Sequence, residues 1–364
     1  MHNIAIAAAG TGGHIFPGLA LANELHDQID DVKIVFIGSR DGIENEIIPK
    51  YGYQCLQTDV QKLYRSFTLK NVMFPVHTIK SILETKSLYR AHKTTSFIGC
   101  GGFVTGTAGY AAKLCGIPIF LQEQNSYPGL STRLIAQHAQ RIYLGNDSAR
   151  IYLKKYDEKC IYTGNPVRNY TKLTKQKALE ELGLKDKFTI FIYGGSQGSK
   201  AINNAVTEIT VELLRNDMQI VFQTGARAFE DIKSKFSGVD NIIVKPFIDR
   251  MDLVYSASDL VVCRAGAISL SEVSYFGIPA IIIPFPWAAG DHQLKNAMSY
   301  ENNNSAVVIE EKDLTPELLF EKIIALTNNH NRLMEMQTAM KSLAKPEATK
   351  SIISDILQNL GCKC

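Results

Sequence analysis

The apolar run Leu260-Val261-Val262-Cys263 ends in Arg264-Ala265-Gly266-Ala267, and a helical pattern then starts at Ile268, with Ser269, Ser271 and Glu272 in its first turn. The order is strand, glycine turn, helix N-terminus. Such a terminus leaves backbone N–H groups unpaired and carries partial positive charge, so it suits an anion such as a diphosphate. A first-turn carboxylate, Glu272, can accept hydrogen bonds from two neighbouring hydroxyls, as a ribose diol offers. The segment could therefore grip a nucleotide at both ends. The plainer alternative is that Glu272 only complements its own helix dipole. A second apolar run, Pro279 to Pro284, leads through the Pro-rich, small-residue loop Phe285 to Gly290 into Asp291-His292-Gln293, whose polar groups could read sugar hydroxyls.

Two further glycine turns follow apolar runs and open helices. Gly10-Thr11-Gly12-Gly13-His14 comes after Ile4 to Ala9, and Gly194-Gly195-Ser196-Gln197-Gly198-Ser199-Lys200 after Phe188 to Tyr193. The first is not a dinucleotide fingerprint. Its third glycine position holds Ile15, and the second strand ends in Gly38-Ser39-Arg40, where a carboxylate would be needed for a ribose 2′-hydroxyl. The second has the wrong spacing to Lys200 for a P-loop, although its backbone and Ser196 could still cradle phosphate. Either turn taken alone could serve only tight strand-to-helix packing.

These turns must be positioned by the elements around them. Apolar strand-like runs recur at residues 33–37, 96–100, 117–121 and 141–144, and again at 188–193, 219–223, 241–244, 259–263 and 279–283, with helical patterns between. Alternation of this kind predicts α/β architecture with parallel, doubly wound sheets. The rhythm restarts after Asn165-Pro166, so two Rossmann-like domains facing a cleft are expected, residues 1–165 and 166–345, with strand-to-helix loops lining the cleft. At 364 residues, 45% hydrophobic and 21% charged, the chain has material for two cores. A net charge of +3 is too mild to suggest a nucleic-acid partner. Seven scattered cysteines, mostly inside apolar runs, read as small hydrophobes in a reduced, cytoplasmic protein. No apolar run reaches the ~18 residues that span a bilayer.

Taken together the motifs resemble those of the MurG family, GT-B glycosyltransferases of peptidoglycan synthesis. The series runs GTGGHIFPG at 10–18, GGFVTGTAG at 101–109, QEQN at 122–125, NPVR at 165–168, GGSQGS at 194–199, FIDRM at 247–251, CRAGAISLSE at 263–272 and DHQ at 291–293. The resemblance covers nearly the whole chain. It implies inverting transfer of N-acetylglucosamine from UDP-GlcNAc to the C4 hydroxyl of the muramyl sugar of lipid I, giving lipid II, without cofactor. It also implies that residues 346–364 return to the first domain. The chain holds no D-x-D triplet, so stabilisation of the departing diphosphate by helix N-termini and backbone amides, without metal, is expected in line with the family.

The same resemblance implies the roles of individual residues. Glu272 would hold the ribose, the backbone of Ile248 the uracil edge, and Ser196 with the Ala267 to Ser269 amides the diphosphate. Leu270 and Ser271 complete that loop, Gln293 would take the sugar hydroxyls, and Arg168 joins the donor set. From the first domain would come Asn125 and the turn Thr11, Gly12, Gly13. An inverting transfer also needs a base. His14 is the first candidate because its ordinary pKa lies near the working pH, with Glu123 second; a cap or packing role beside Gly13 is the alternative for His14. Gln122 stands where relatives often carry His, and an amide there cannot titrate.

Residues 61–95 carry seven cations against the single acid Glu84, interleaved with aromatic and aliphatic groups. Lys62, Arg65, Phe67 and Lys70 are the expected contacts with an anionic membrane surface, where the lipid acceptor would be presented and the enzyme would sit peripherally on the cytoplasmic side. Val76, Ile79 and Leu83 are expected to face the core instead, with the segment before Pro75 more exposed. Rival readings are another UDP-sugar lipid transferase, of the diacylglycerol type, a UDP-GlcNAc 2-epimerase, and a non-catalytic nucleotide-sugar binding protein.

Overall fold

The computed structural model describes residues 2–61, 73–168 and 170–361. The chain divides into two compact units, residues 1–168 with 345–364, and residues 169–344.

Unit 1 runs β1 (His2–Ala7), α1 (Gly12–Gln28), β2 (Val32–Ser39), α2 (Glu44–Ile47), β3 (Gln54–Thr58), α3 (Phe74–Ala91), β4 (Ser96–Gly99), α4 (Gly102–Leu114), β5 (Ile119–Glu123), α5 (Leu130–Ile135), β6 (Arg141–Leu144) and β7 (Cys160–Tyr162). Its strands are parallel, in the order β3-β2-β1-β4-β5-β6-β7. In the centre, Ile6 of β1 lies opposite Phe36 of β2 and Ile98 of β4. Successive residues of β1 and the two that follow it feed opposite faces: Ile4, Ile6 and Ala8 join one apolar layer, Ala5, Ala7 and Ala9 the other. A parallel sheet covered on both sides needs such near-continuous apolar runs.

Unit 2 continues with α6 (Lys175–Leu182), β8 (Phe188–Tyr193), α7 (Lys200–Arg215), β9 (Met218–Gln223), α8 (Phe229–Lys235), β10 (Ile242–Lys245), α9 (Met251–Ala257), β11 (Leu260–Cys263), α10 (Ala267–Phe276), β12 (Ala280–Ile282), α11 (His292–Asn302), β13 (Ala306–Val308), α12 (Pro316–Thr327) and α13 (His330–Ser342). Its parallel order is β10-β9-β8-β11-β12-β13. The last helix, α14 (Ala348–Asn359), belongs to unit 1 and buries Ile352, Ile353, Ile356 and Leu357 with Leu19, Ala22 and Leu25 of α1. Tyr143 of β6 donates a 2.7 Å hydrogen bond to Asp355 of that helix.

Helix α3 departs from expectation. Ser81, Thr85 and Tyr89 are its buried residues, whereas Val76, Ile79 and Leu83 are 55%, 60% and 59% exposed. The inward stripe is selected by hydrogen bonding: Tyr89 donates to the Ala108 carbonyl of α4 at 3.0 Å, and Ser81 donates to Thr107 at 3.3 Å. Lys62, Arg65, Phe67 and Lys70 lie outside the described residues. Among the described residues no helix is long and apolar enough to cross a membrane.

Candidate active site

In an open parallel sheet, ligands bind beyond the carboxyl ends of the strands, where the strand order reverses. Each unit has one such point, between β1 and β4 in the first and between β8 and β11 in the second.

At the first, α1 starts at Gly12 with Thr11 as its N-cap, so His14 is a first-turn residue of the helix. Thr11 Oγ1 and His14 Nδ1 are hydrogen-bonded at 3.2 Å. The imidazole lies against the turn that follows β4: a Cβ on Gly101 would fall 2.6 Å from its Cδ2 and 3.3 Å from Gln124 Oε1. Gly101, at φ +89°, is thus required both by its backbone and by its neighbours. The GTGGH, GGF and QEQN motifs meet here.

Glu123 does not offer a free carboxylate to this edge. It is buried; Oε1 accepts from the backbone N–H and side chain of Asn125, at 3.1 and 3.3 Å, and Oε2 from Gly129 N–H at 3.0 Å and Thr132 Oγ1 at 2.7 Å. It holds the loop 124–129 onto the start of α5. Gln122 is also fully buried and donates to Asn165 at 3.0 Å, while Asn165 donates to the Gln124 carbonyl at 3.2 Å. A neutral amide suits this position, which lies in a buried network rather than at an open edge. Arg168 falls in unit 1, its guanidinium 4.7 Å from the ring centroid of Phe16.

At the second switch point the β8 turn bends through left-handed Gly195 and Gly198, leaving Ser196 exposed. A Cβ on Gly198 would fall 2.0 Å from the Thr224 carbonyl, so the turn can approach β9 only as glycine. Ser199 caps α7 by accepting from Ile202 N–H at 3.3 Å. Gln223, the last residue of β9, donates to the Gly195 carbonyl at 3.1 Å and accepts from Ile248 N–H at 2.8 Å. One amide therefore fixes the glycine turn and the 247–251 segment together.

Helix α10 has no side-chain N-cap at Gly266, which leaves the amides of Ala267, Ile268 and Ser269 in the uncapped first turn. Leu270 is a core residue, and the Ser271 hydroxyl donates back to the Ala267 carbonyl at 2.9 Å. Glu272 lies in the second turn, not the first, and is 4% exposed. Its carboxylate accepts from Tyr170 at 2.5 Å and Tyr255 at 3.2 Å, and the Tyr255 hydroxyl is 2.9 Å from that of Tyr193. Burial pushes the Tyr193 and Tyr255 hydroxyls well above the usual range, so both stay neutral. A carboxylate has about four acceptor positions. The tyrosines take one on each oxygen of Glu272. Gln293, in the first turn of α11, accepts from Phe285 N–H at 2.9 Å and so ties down the loop after β12.

Arg264, a motif residue given no role from the sequence, joins these parts. It is buried; Nη1 donates to the Ile283 and Pro284 carbonyls at 3.1 and 3.2 Å, and Nη2 donates to Ser199 Oγ at 2.6 Å and to Glu311. The signal for Gln223 and Arg264 was a polar side chain at, or one residue past, the carboxyl end of an apolar strand.

Residues 4–144 match the glycosyltransferase family 28 N-terminal domain, and residues 189–352 the family 28 C-terminal domain. The chain is 38% identical, over 97% of its length and 96% of the relative's, to the UDP-N-acetylglucosamine–N-acetylmuramyl-(pentapeptide) pyrophosphoryl-undecaprenol N-acetylglucosamine transferase of Flavobacterium psychrophilum. To the enzyme of that name from Bacillus subtilis it is 33% identical, over 98% and 99% of the two chains. The crystal structure of MurG from Acinetobacter baumannii matches it with a TM-score of 0.77 at 28% identity, covering 99% of this chain and 100% of that one. The two parallel-sheet units have the GT-B architecture.

Proposed function

Since the chain belongs to the MurG family of glycosyltransferases, we propose that it works by inverting displacement without a metal ion, with His14 as base and the edge of the second sheet as donor site. The activity is that of an N-acetylglucosaminyltransferase: it transfers N-acetylglucosamine from UDP-GlcNAc to lipid I and forms lipid II. The C4 hydroxyl oxygen of the muramyl sugar attacks the anomeric carbon of GlcNAc, its proton passes to His14 Nε2, and the bond from that carbon to the diphosphate oxygen breaks to release UDP.

The observation that carries this reading is the uncapped N-terminus of α10 beside the glycine turn of β8, with Arg264 fixing one to the other. Amides of Ala267, Ile268 and Ser269, with exposed Ser196, form a fixed field for the charge that develops on the leaving diphosphate. Glu272 takes the ribose hydroxyls, Gln293 takes the sugar, and the Ile248 carbonyl takes the uracil N–H, its own N–H being engaged by Gln223. Arg168, Asn125 and the turn Thr11, Gly12, Gly13 complete the substrate contacts. Glu123 acts by holding Asn125 in place.

For the acceptor side, the exposed stripe Val76, Ile79 and Leu83 on α3, with Met73 just before it and Lys80 and Arg90 alongside, supports docking on an anionic leaflet from the cytoplasmic face. Incubating the protein with UDP-GlcNAc labelled in the sugar and a short-chain lipid I analogue tests the whole reading. Label should enter a lipid-linked disaccharide with inverted anomeric configuration, and a retained configuration would exclude the single displacement.

A further inference from the structure

A second buried carboxylate stands behind the first glycine turn. Glu44 opens the short helix α2 and is fully buried. Oε2 accepts from Gly10 N–H at 3.0 Å, and Oε1 accepts from Ser39 N–H at 2.9 Å and Ser39 Oγ at 2.7 Å. Among the described residues no cation lies within ion-pair distance of it. Burying a carboxylate without a cation costs several kcal/mol unless hydrogen bonds take the place of water. Here they come from the turn after β1 and from the last residue of β2.

The chain makes room for this side chain. A Cβ on Gly42 would fall 2.0 Å from Glu44 Oε1, and one on Gly38 would fall 2.8 Å from its Cγ. Next to it, burial first and the Glu44 charge second push the Cys55 thiol up to about 12. Asn45 braces the same turn by donating to the Ser39 and Arg40 carbonyls at 2.8 and 2.9 Å. A glutamine in place of Glu44 would fill the same volume, but it would set an NH₂ group against one of the N–H donors.

We propose that Glu44 is a positioning residue for the reaction: by binding Gly10 N–H it fixes where α1 begins, and so holds Thr11 and His14 at the β1–β4 switch point. Gly10, at φ +94°, immediately precedes the N-cap Thr11, so the clamp acts four residues from the imidazole. This inference rests on the role given to His14.

Glu44→Gln in the full-length protein tests it. With the turn released, kcat should fall by about tenfold or more, while KM for UDP-GlcNAc and the affinity for UDP stay within about twofold. Ser39→Ala removes only the hydroxyl bond and should keep near-normal kcat. A Glu44→Gln enzyme with lower thermal stability but normal kcat, beside an inactive His14→Ala enzyme, would overturn the positioning role and leave the His14 reading standing. Full turnover in His14→Ala would remove that reading itself. Should Glu44→Gln fail to fold, amide hydrogen exchange of the wild-type protein decides: Gly10 N–H should be strongly protected, and exchange at the rate of an open loop would contradict the clamp.

Discussion

Arg264 and Ser199, 65 residues apart in the chain, are joined by a 2.6 Å hydrogen bond that ties the turn after β11 to the N-cap of α7. The same guanidinium holds the end of β12 and Glu311. A lysine ammonium is a single point and cannot span four acceptors. Arg264→Lys should therefore raise KM for UDP-GlcNAc by about tenfold, or ~1.4 kcal/mol, measured by steady-state kinetics. An unchanged KM would show that the diphosphate site does not depend on this bridge.

Glu272 should be needed for donor binding beyond its tyrosine contacts. Glu272→Ala is expected to weaken UDP-GlcNAc binding by more than about tenfold in titration calorimetry. Tyr170→Phe removes one donor to the carboxylate without touching the ribose contact, and should leave affinity within about threefold. If both substitutions weaken binding equally, the carboxylate serves the tyrosine cluster rather than the nucleotide.

The exposed stripe on α3 should govern membrane binding. Ile79→Glu with Leu83→Glu removes apolar contact and adds like charge against anionic lipid. In flotation with vesicles containing about one-third phosphatidylglycerol, at a composition chosen for partial binding, the bound fraction should drop at least about tenfold, since each charge near the surface is worth about 1 kcal/mol. Turnover of a water-soluble acceptor analogue should be preserved. Equal flotation of the variant and the wild type would move the contact elsewhere.

Alkaline pH should destabilise the fold in part through two fully buried thiols. Burial pushes both Cys100 and Cys263 up to about 12, whereas an unfolded thiol titrates near ~8.5. Above ~8.5 the unfolded chain releases protons that the native state keeps, so stability is fully present below that pH and is lost as pH rises towards 12. From pH 8 to pH 10 each thiol should remove about 2 kcal/mol from the unfolding free energy, read from urea midpoints. The double variant Cys100→Ala, Cys263→Ala should lack this component. An identical pH slope in both proteins would locate the titrating groups elsewhere.

The central strands were readable because a parallel sheet buried on both faces demands apolar runs, as at Ile4 to Ala9 and Phe188 to Tyr193. Three short strands were not: β3 (Gln54–Thr58) and β7 (Cys160–Tyr162) lie at the edges of the first sheet, and β13 (Ala306–Val308) at an edge of the second. Edge strands are buried less completely, and their mixed polarity gives no run to follow. Helix α3 misled because its core side is a Ser-Thr-Tyr stripe satisfied by α4, while its aliphatic residues point outward. The glycine turns were legible from spacing. What their side chains bond to was not, since Glu44 reaches Gly10, Gln223 reaches Ile248 and Arg264 reaches Ser199 across 34, 25 and 65 residues of chain.

The central claim is tested most directly by following UDP release from UDP-GlcNAc in EDTA, with and without a short-chain lipid I analogue. Release should depend on the acceptor, persist in EDTA and match the disaccharide formed one for one. UDP release or an epimerised sugar without acceptor, or loss of turnover on chelation, would contradict the account.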